Sequence, residues 1–202
     1  MREFIVSIAV SFIAIGAGAN EIGFTIIPGD RQNVTFHSKA TIESFDGTTS
    51  DITGTISIDP DLPDSVTASF NVDLTTLDTG IGLRNKHMRK NHLHTDQYPE
   101  ATFTLTSTKG PVQLIDGSEV SFIAIGDFYI HGVTRQIEVP VTVTWYLNSS
   151  ETPLRSVSQS LHITGEFFVT LADHDIPRPQ FLIMKLAETQ RVTLDLWAKA
   201  GE

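Results

Sequence analysis

Histidine is the residue type here whose spacing invites a chemical reading. His87, His92 and His94 fall within eight residues, with Asp96 just beyond. Imidazole and carboxylate together form a donor set for zinc or another divalent cation. If the segment is helical, ligands five apart sit on different faces and ligands seven apart align only fairly. No HExxH pattern builds a hydrolytic zinc centre, and a solvated basic loop, or a histidine hydrogen-bonded to backbone, explains the same imidazoles. His131, in a Gly-Val-Thr turn, reads either as a head-group contact or as a hydrogen-bonded turn residue. His174 is flanked by Asp173 and Asp175, yet three consecutive side chains on a turn seldom converge on one ion.

Nucleophile chemistry has little support. The chain holds no cysteine, which removes thiol catalysis, disulfides and thiolate metal sites together. It has no Gly-x-Ser-x-Gly elbow, no P-loop and no Gly-x-Gly-x-x-Gly following a strand. A different cluster stands out. Arg84, Lys86, Arg89 and Lys90 place four cations within seven residues of a chain whose net charge is −10. Guanidinium pairs bidentately with phosphate oxygens; a solvated helix face with surface ion pairs is the plainer account.

The elements that must position these residues are short and alternating. Val66, Ala68, Phe70, Val72 and Leu74 are separated by Thr67, Ser69, Asn71 and Asp73, the pattern of a half-buried strand. Ile137, Val139, Val141, Val143 and Trp145 repeat it, with Pro140 predicting an edge or a bulge. Val192, Leu194 and Leu196 form a third such run. Further strands are expected over residues 34–40, 52–58, 102–108, 121–130 and 161–171, separated by turn pairs at Asp46-Gly47, Asp59-Pro60, Gly110-Pro111, Asp116-Gly117 and His131-Gly132. Many strands without βαβ alternation predict an all-β sandwich or closed barrel. The alternation fails near residues 80–95, where a loop becoming helical is expected, with Thr79 as a candidate cap.

Composition supports one large domain of 202 residues, 40% apolar and 19% charged. The acidic balance makes nucleic acid an unsuitable partner. Residues 1–19 read as a signal peptide: Arg2 precedes the apolar run Phe4–Ile15, and Ala17-Gly18-Ala19 fits signal peptidase. The run is short for a membrane span of ~20 residues, so the expected mature domain, residues 20–202, has none.

The stretches Leu77-Asp78-Thr79-Gly80, Leu83-Arg84-Asn85-Lys86-His87-Met88, Tyr98-Pro99-Glu100-Ala101-Thr102-Phe103 and Gly126-Asp127-Phe128-Tyr129-Ile130-His131-Gly132-Val133-Thr134 come in an order that resembles the YceI-like family of polyisoprenoid-binding proteins. The resemblance covers essentially the whole mature length. It implies a lipocalin-like antiparallel β-barrel of about eight strands, an elongated apolar cavity for an isoprenoid of quinone or polyprenyl phosphate type, export to the periplasm, and no established catalysis. No catalytic residue, metal ligand or cofactor follows from it. On that frame Phe70, Val72, Val141, Val143 and Leu194 are expected to line the cavity, with Arg84, His87 and Arg89 at its mouth. A metal-dependent enzyme or stress protein using His87–His94, or a packed barrel without ligand, are the alternatives. A homodimer stays open.

Overall fold

The computed structural model describes residues 21–29, 31–39, 44–59, 62–110, 112–148, 152–154, 158–178, 180–181 and 184–201. The expected signal peptide lies outside them. Among the described residues twelve strands form: β1 (Ile22–Ile26), β2 (Asn33–Lys39), β3 (Ser44–Thr49), β4 (Ile52–Asp59), β5 (Leu62–Asp73), β6 (Glu100–Lys109), β7 (Glu119–Ile130), β8 (Val133–Tyr146), β9 (Ser160–Thr170), β10 (Gln180–Phe181), β11 (Met184–Lys185) and β12 (Thr189–Ala200). Strands β10 and β11 pair only with each other.

The other ten are antiparallel and close on themselves, because β1 pairs with both β4 and β12. They occupy eight positions around the barrel. β1 and β2 share one, since both pair with β12, β1 near its end and β2 near its start. β3 and β4 share the next, against β2 and β1 respectively. Gln32 spans the break between β1 and β2. Its side-chain amide accepts from Trp197 N–H (3.0 Å) and donates to Trp197 O (2.9 Å), replacing the missing strand residue. A buried ladder group left unpaired would cost ~1–3 kcal/mol, so this amide keeps the barrel wall continuous.

The alternating faces point as the sequence dictates. Val66, Ala68, Phe70, Val72, Val139, Val141, Val143, Val192, Leu194 and Leu196 all face the interior. Gly126 is an inward position with no side chain for a steric reason. A Cβ there would lie 2.4 Å from the Phe103 ring and 2.5 Å from Thr104 O, so the glycine makes room for the ring.

One turn reading needs correction, and the edge expected at Pro140 is found. Asp46-Gly47 is inside β3, where Gly47 pairs with Phe36 of β2, and the Phe36 ring covers the space a Cβ would fill. Pro140 pairs with Ile123 of β7 on one side, while β9 joins β8 only from Val141 onward. The missing N–H thus falls where one partner ends, an edge inside an otherwise central strand.

The floor of the barrel is sealed. The segment between β6 and β7 tucks Val112 and Leu114 beneath Trp145, Leu161, Leu196 and Ala198. The opposite end carries the chain between β5 and β6. It runs through a 3₁₀ turn (Leu74–Thr76), helix α1 (Gly82–His87) and a π-helical turn (Met88–Leu93). This is the helical insertion expected near residues 80–95.

Candidate functional site: an apolar cavity and its rim

A cavity of about 730 Å³ runs along the barrel axis. Its wall is made by the inward residues of every barrel position and reaches from Val112 and Leu114 at the floor to Ile81 and Leu83 at the mouth. The polar side chains along it are Arg84, His87, His92, Thr102 and Gln190, with no carboxylate among the described residues. That volume lies within the ~300–1,000 Å³ typical of small-molecule sites. A void in a packed core costs about 24 cal/mol per Å³. Several hundred Å³ of empty apolar space would therefore rival the ~5–15 kcal/mol that keeps a domain folded.

The sequence-derived wall residues Phe70, Val72, Val141, Val143 and Leu194 all border this space, as do Arg84 and His87 at the rim. Arg89 does not. Its Nη2 donates to Leu77 O (2.8 Å), and its Nε is buried without a hydrogen-bond acceptor among the described residues. Arg89 stands five residues after Arg84, a spacing that places the two on different faces of a helix.

The rim is fixed by side chains from the two motifs flanking Gly80. Asn85 Oδ1 accepts from Thr79 N–H (2.9 Å) and from the Thr79 hydroxyl (2.6 Å), and its Nδ2 donates to Asp78 (2.6 Å). Arg84 Nε donates to Thr79 Oγ1 (2.9 Å) and Nη2 to Thr79 O (2.7 Å). Its guanidinium lies 4.1 Å from the centre of the Phe45 ring, a cation–π arrangement. Thr79 is therefore not a helix cap. Ile81 holds the N-cap position without a side-chain bond, and the Thr79 hydroxyl serves Asn85 and Arg84. The Asn85 amide, followed by the Gly80 N–H, holds the Asp78 carboxyl below its usual range.

The histidines scatter instead of converging. His92 Nδ1 donates to Pro177 O (2.7 Å), tying the π-helical turn to the loop after β9. His94 Nδ1 meets His131 Nε2 at 2.8 Å, and His131 Nδ1 meets His174 O at 3.0 Å. A carbonyl only accepts, so His131 carries its proton on Nδ1, and its Nε2 accepts from His94 Nδ1–H. The Tyr98 ring lies against His131 at 4.9 Å. Gly132 (φ +82°) leaves the space that this ring enters. His174 is buried, 5.4 Å edge-on to Phe128. Burial pushes the His92 and His174 imidazoles below their ordinary value, only partly offset by the carbonyls they face. Among the described residues no group of three His, Asp or Glu side chains is placed to hold a metal ion. The His94–His131–His174 chain went unseen because its members are 37 and 43 residues apart. Their one shared signal is a place beside a turn.

A closed antiparallel barrel, sealed at one end, open under a short helix at the other, and hollow along an apolar axis, belongs to the small-ligand-binding barrels in architecture. Residues 24–198 match the YceI-like domain, and the chain belongs to that family. Protein YceI of Shigella flexneri is 36% identical over 92 residues, 45% of this chain. The match spans 44% of that relative's length, less than half. Among solved structures, a polyisoprenoid binding domain from Saccharophagus degradans, implicated in plant cell wall breakdown, superposes with TM-score 0.67 at 19% identity, covering 88% of this chain and 98% of that one. BcnA of Burkholderia cenocepacia gives TM-score 0.65 at 18% identity, over 83% and 96%. These structures share the fold.

Proposed function

We propose that this protein carries a long apolar lipid, of polyisoprenoid type, inside its barrel and performs no catalysis. The observation that carries this reading is the cavity: about 730 Å³, walled by Val, Leu, Ile and Phe, with polar side chains gathered chiefly at its open end. Each buried methylene of a tail contributes ~0.8 kcal/mol, so a chain of isoprene units gains affinity along the whole axis. The family and the polyisoprenoid binding domain it resembles in fold support the same ligand class.

Arg84, with His87 beside it, supplies the positive and hydrogen-bonding groups nearest an emerging head. A polyprenyl phosphate would pair with that charge; a quinone would use hydrogen bonds alone. Arg89 acts on the rim's structure. The packed-barrel alternative has no place for a cavity of this size. The metal-dependent alternative loses its ligands to Pro177 O, to His131 and to the rim. The reading also has residues 1–19 directing export to the periplasm, where a carrier would move lipid between membranes. Mass spectrometry of an organic extract of the purified native protein tests the proposal. A stoichiometric isoprenoid is expected; an extract without any apolar molecule, from protein whose cavity also takes up none on titration, would overturn it.

A further inference from the structure

The outer face of the rim sets exposed aliphatic side chains beside a run of cations. Leu83, Lys86, His87 and Lys90 are spaced i, i+3, i+4, i+7 and all are exposed, with Ile81 and Asn91 at the two ends. Leu83 is 66% and Ile81 51% exposed, although large apolar side chains of this chain are mostly buried. From Thr79 to Thr95 there are four cations and no carboxylate, in a chain of net charge −10. Asp78 borders the patch, but its carboxylate is engaged by Gly80 N–H and Asn85. Asp96 borders the other end. Asp173 and Asp175 belong to the loop after β9, and Glu188, just before β12, faces Arg178 at 3.9 Å.

We infer that this face docks on an anionic lipid bilayer, with Ile81 and Leu83 entering the interface and Lys86 and Lys90 on the lipid phosphates. Two arguments identify the occupant. First, the charge is complementary only locally. At physiological salt, charges more than ~8 Å away are screened, so the acidic body is not felt where the cationic rim makes contact. Exposed aliphatic residues beside lysines are the pattern that settles helices into a bilayer interface. Second, Ile81 and Leu83 also border the cavity mouth, so docking opens the cavity directly onto the bilayer. This second argument rests on the lipid-carrier reading; the first does not.

Flotation of the full chain with phosphatidylcholine vesicles, with and without phosphatidylglycerol, tests the inference. Binding is expected with phosphatidylglycerol, at physiological salt, and not with phosphatidylcholine alone. Each basic residue near an anionic surface is worth about a fivefold change in partitioning, so Lys86→Glu with Lys90→Glu should weaken binding roughly 25-fold or more. Ile81→Ser with Leu83→Ser should weaken it as well. All four positions are exposed, so unchanged melting curves will show that the variants fold. Binding that ignores phosphatidylglycerol, that survives the charge reversal, or that is absent at physiological salt overturns the docking. Val141→Trp, which fills the cavity, separates the two readings. It should still float with the vesicles even if organic extracts prove empty. Loss of flotation in that variant would mean that lipid capture by the cavity, and not the rim face, holds the protein on the membrane, and would overturn the inference.

Discussion

At the floor of the barrel Phe24, Leu161, Leu196 and Ala198 are 0–2% exposed, and Val112 seals them from below. At the mouth Ile81 and Leu83 are more than half exposed, and the helical segment from Gly82 to Leu93 makes side-chain hydrogen bonds from Arg84, Arg89 and His92 to Thr79, Leu77 and Pro177. One end is closed by apolar packing, which is strong and not easily rearranged. The other is covered by a helical segment that adds individually modest polar contacts to the apolar contacts of Met88 and Leu93, and openings of this kind are drawn from the least stable parts of a fold. Stability and access are therefore assigned to opposite ends of one cavity.

The largest effect that would sharpen this contrast is at the floor. Leu161→Ala should cost ~2–5 kcal/mol in urea unfolding, while Leu83→Ala should stay within ~0.5 kcal/mol. Equal losses would show the two ends to be packed alike. Next comes the division between the two arginines. Arg84→Ala should weaken a polyprenyl phosphate by the ~1.5–3 kcal/mol of a charge-assisted contact and leave the neutral alcohol nearly unaffected. Arg89→Ala should lower the melting temperature without distinguishing the two ligands. Isothermal titration with both ligands checks the pair, and an Arg89 variant that discriminates between them would contradict its structural role.

The smallest expected effect is on pH. His92 and His174 have folded-state values below the ordinary imidazole value of 6.5, so below 6.5 the unfolded chain binds more protons than the folded one. Their contribution is complete above pH 6.5 and is lost as pH falls through the lower folded-state values. The melting temperature should therefore drop on acidification from pH 7 to 5. His92→Gln with His174→Asn should flatten that segment of the profile; an unchanged slope would remove these imidazoles from the rim's stability.

The same contrast governs what could be read from the sequence. Wall strands were legible because each buries one face: Val66 to Leu74 and Val139 to Val143 border the cavity at every second position. Strand β3 was not, because Asp46-Gly47 carries turn chemistry and only the Phe36 ring of the neighbouring strand explains a glycine there. At the rim, the cation cluster and the helical insertion were visible. The separate fates of Arg84 and Arg89 were readable in part, since residues five apart fall on different faces of a helix; the Leu77 carbonyl that receives Arg89 was not. The histidine chain was out of reach for a similar reason, being assembled from three loops by tertiary closure.

The central claim is that the inward faces border space for a ligand, and Val141→Trp tests it most directly. Paired measurement of isoprenoid binding and thermal unfolding should show binding abolished and the melting temperature nearly unchanged, because the indole enters volume that no side chain fills. A well-packed core would respond in the opposite way, with ~1–3 kcal/mol of overpacking strain. Lost stability with retained binding would contradict the account.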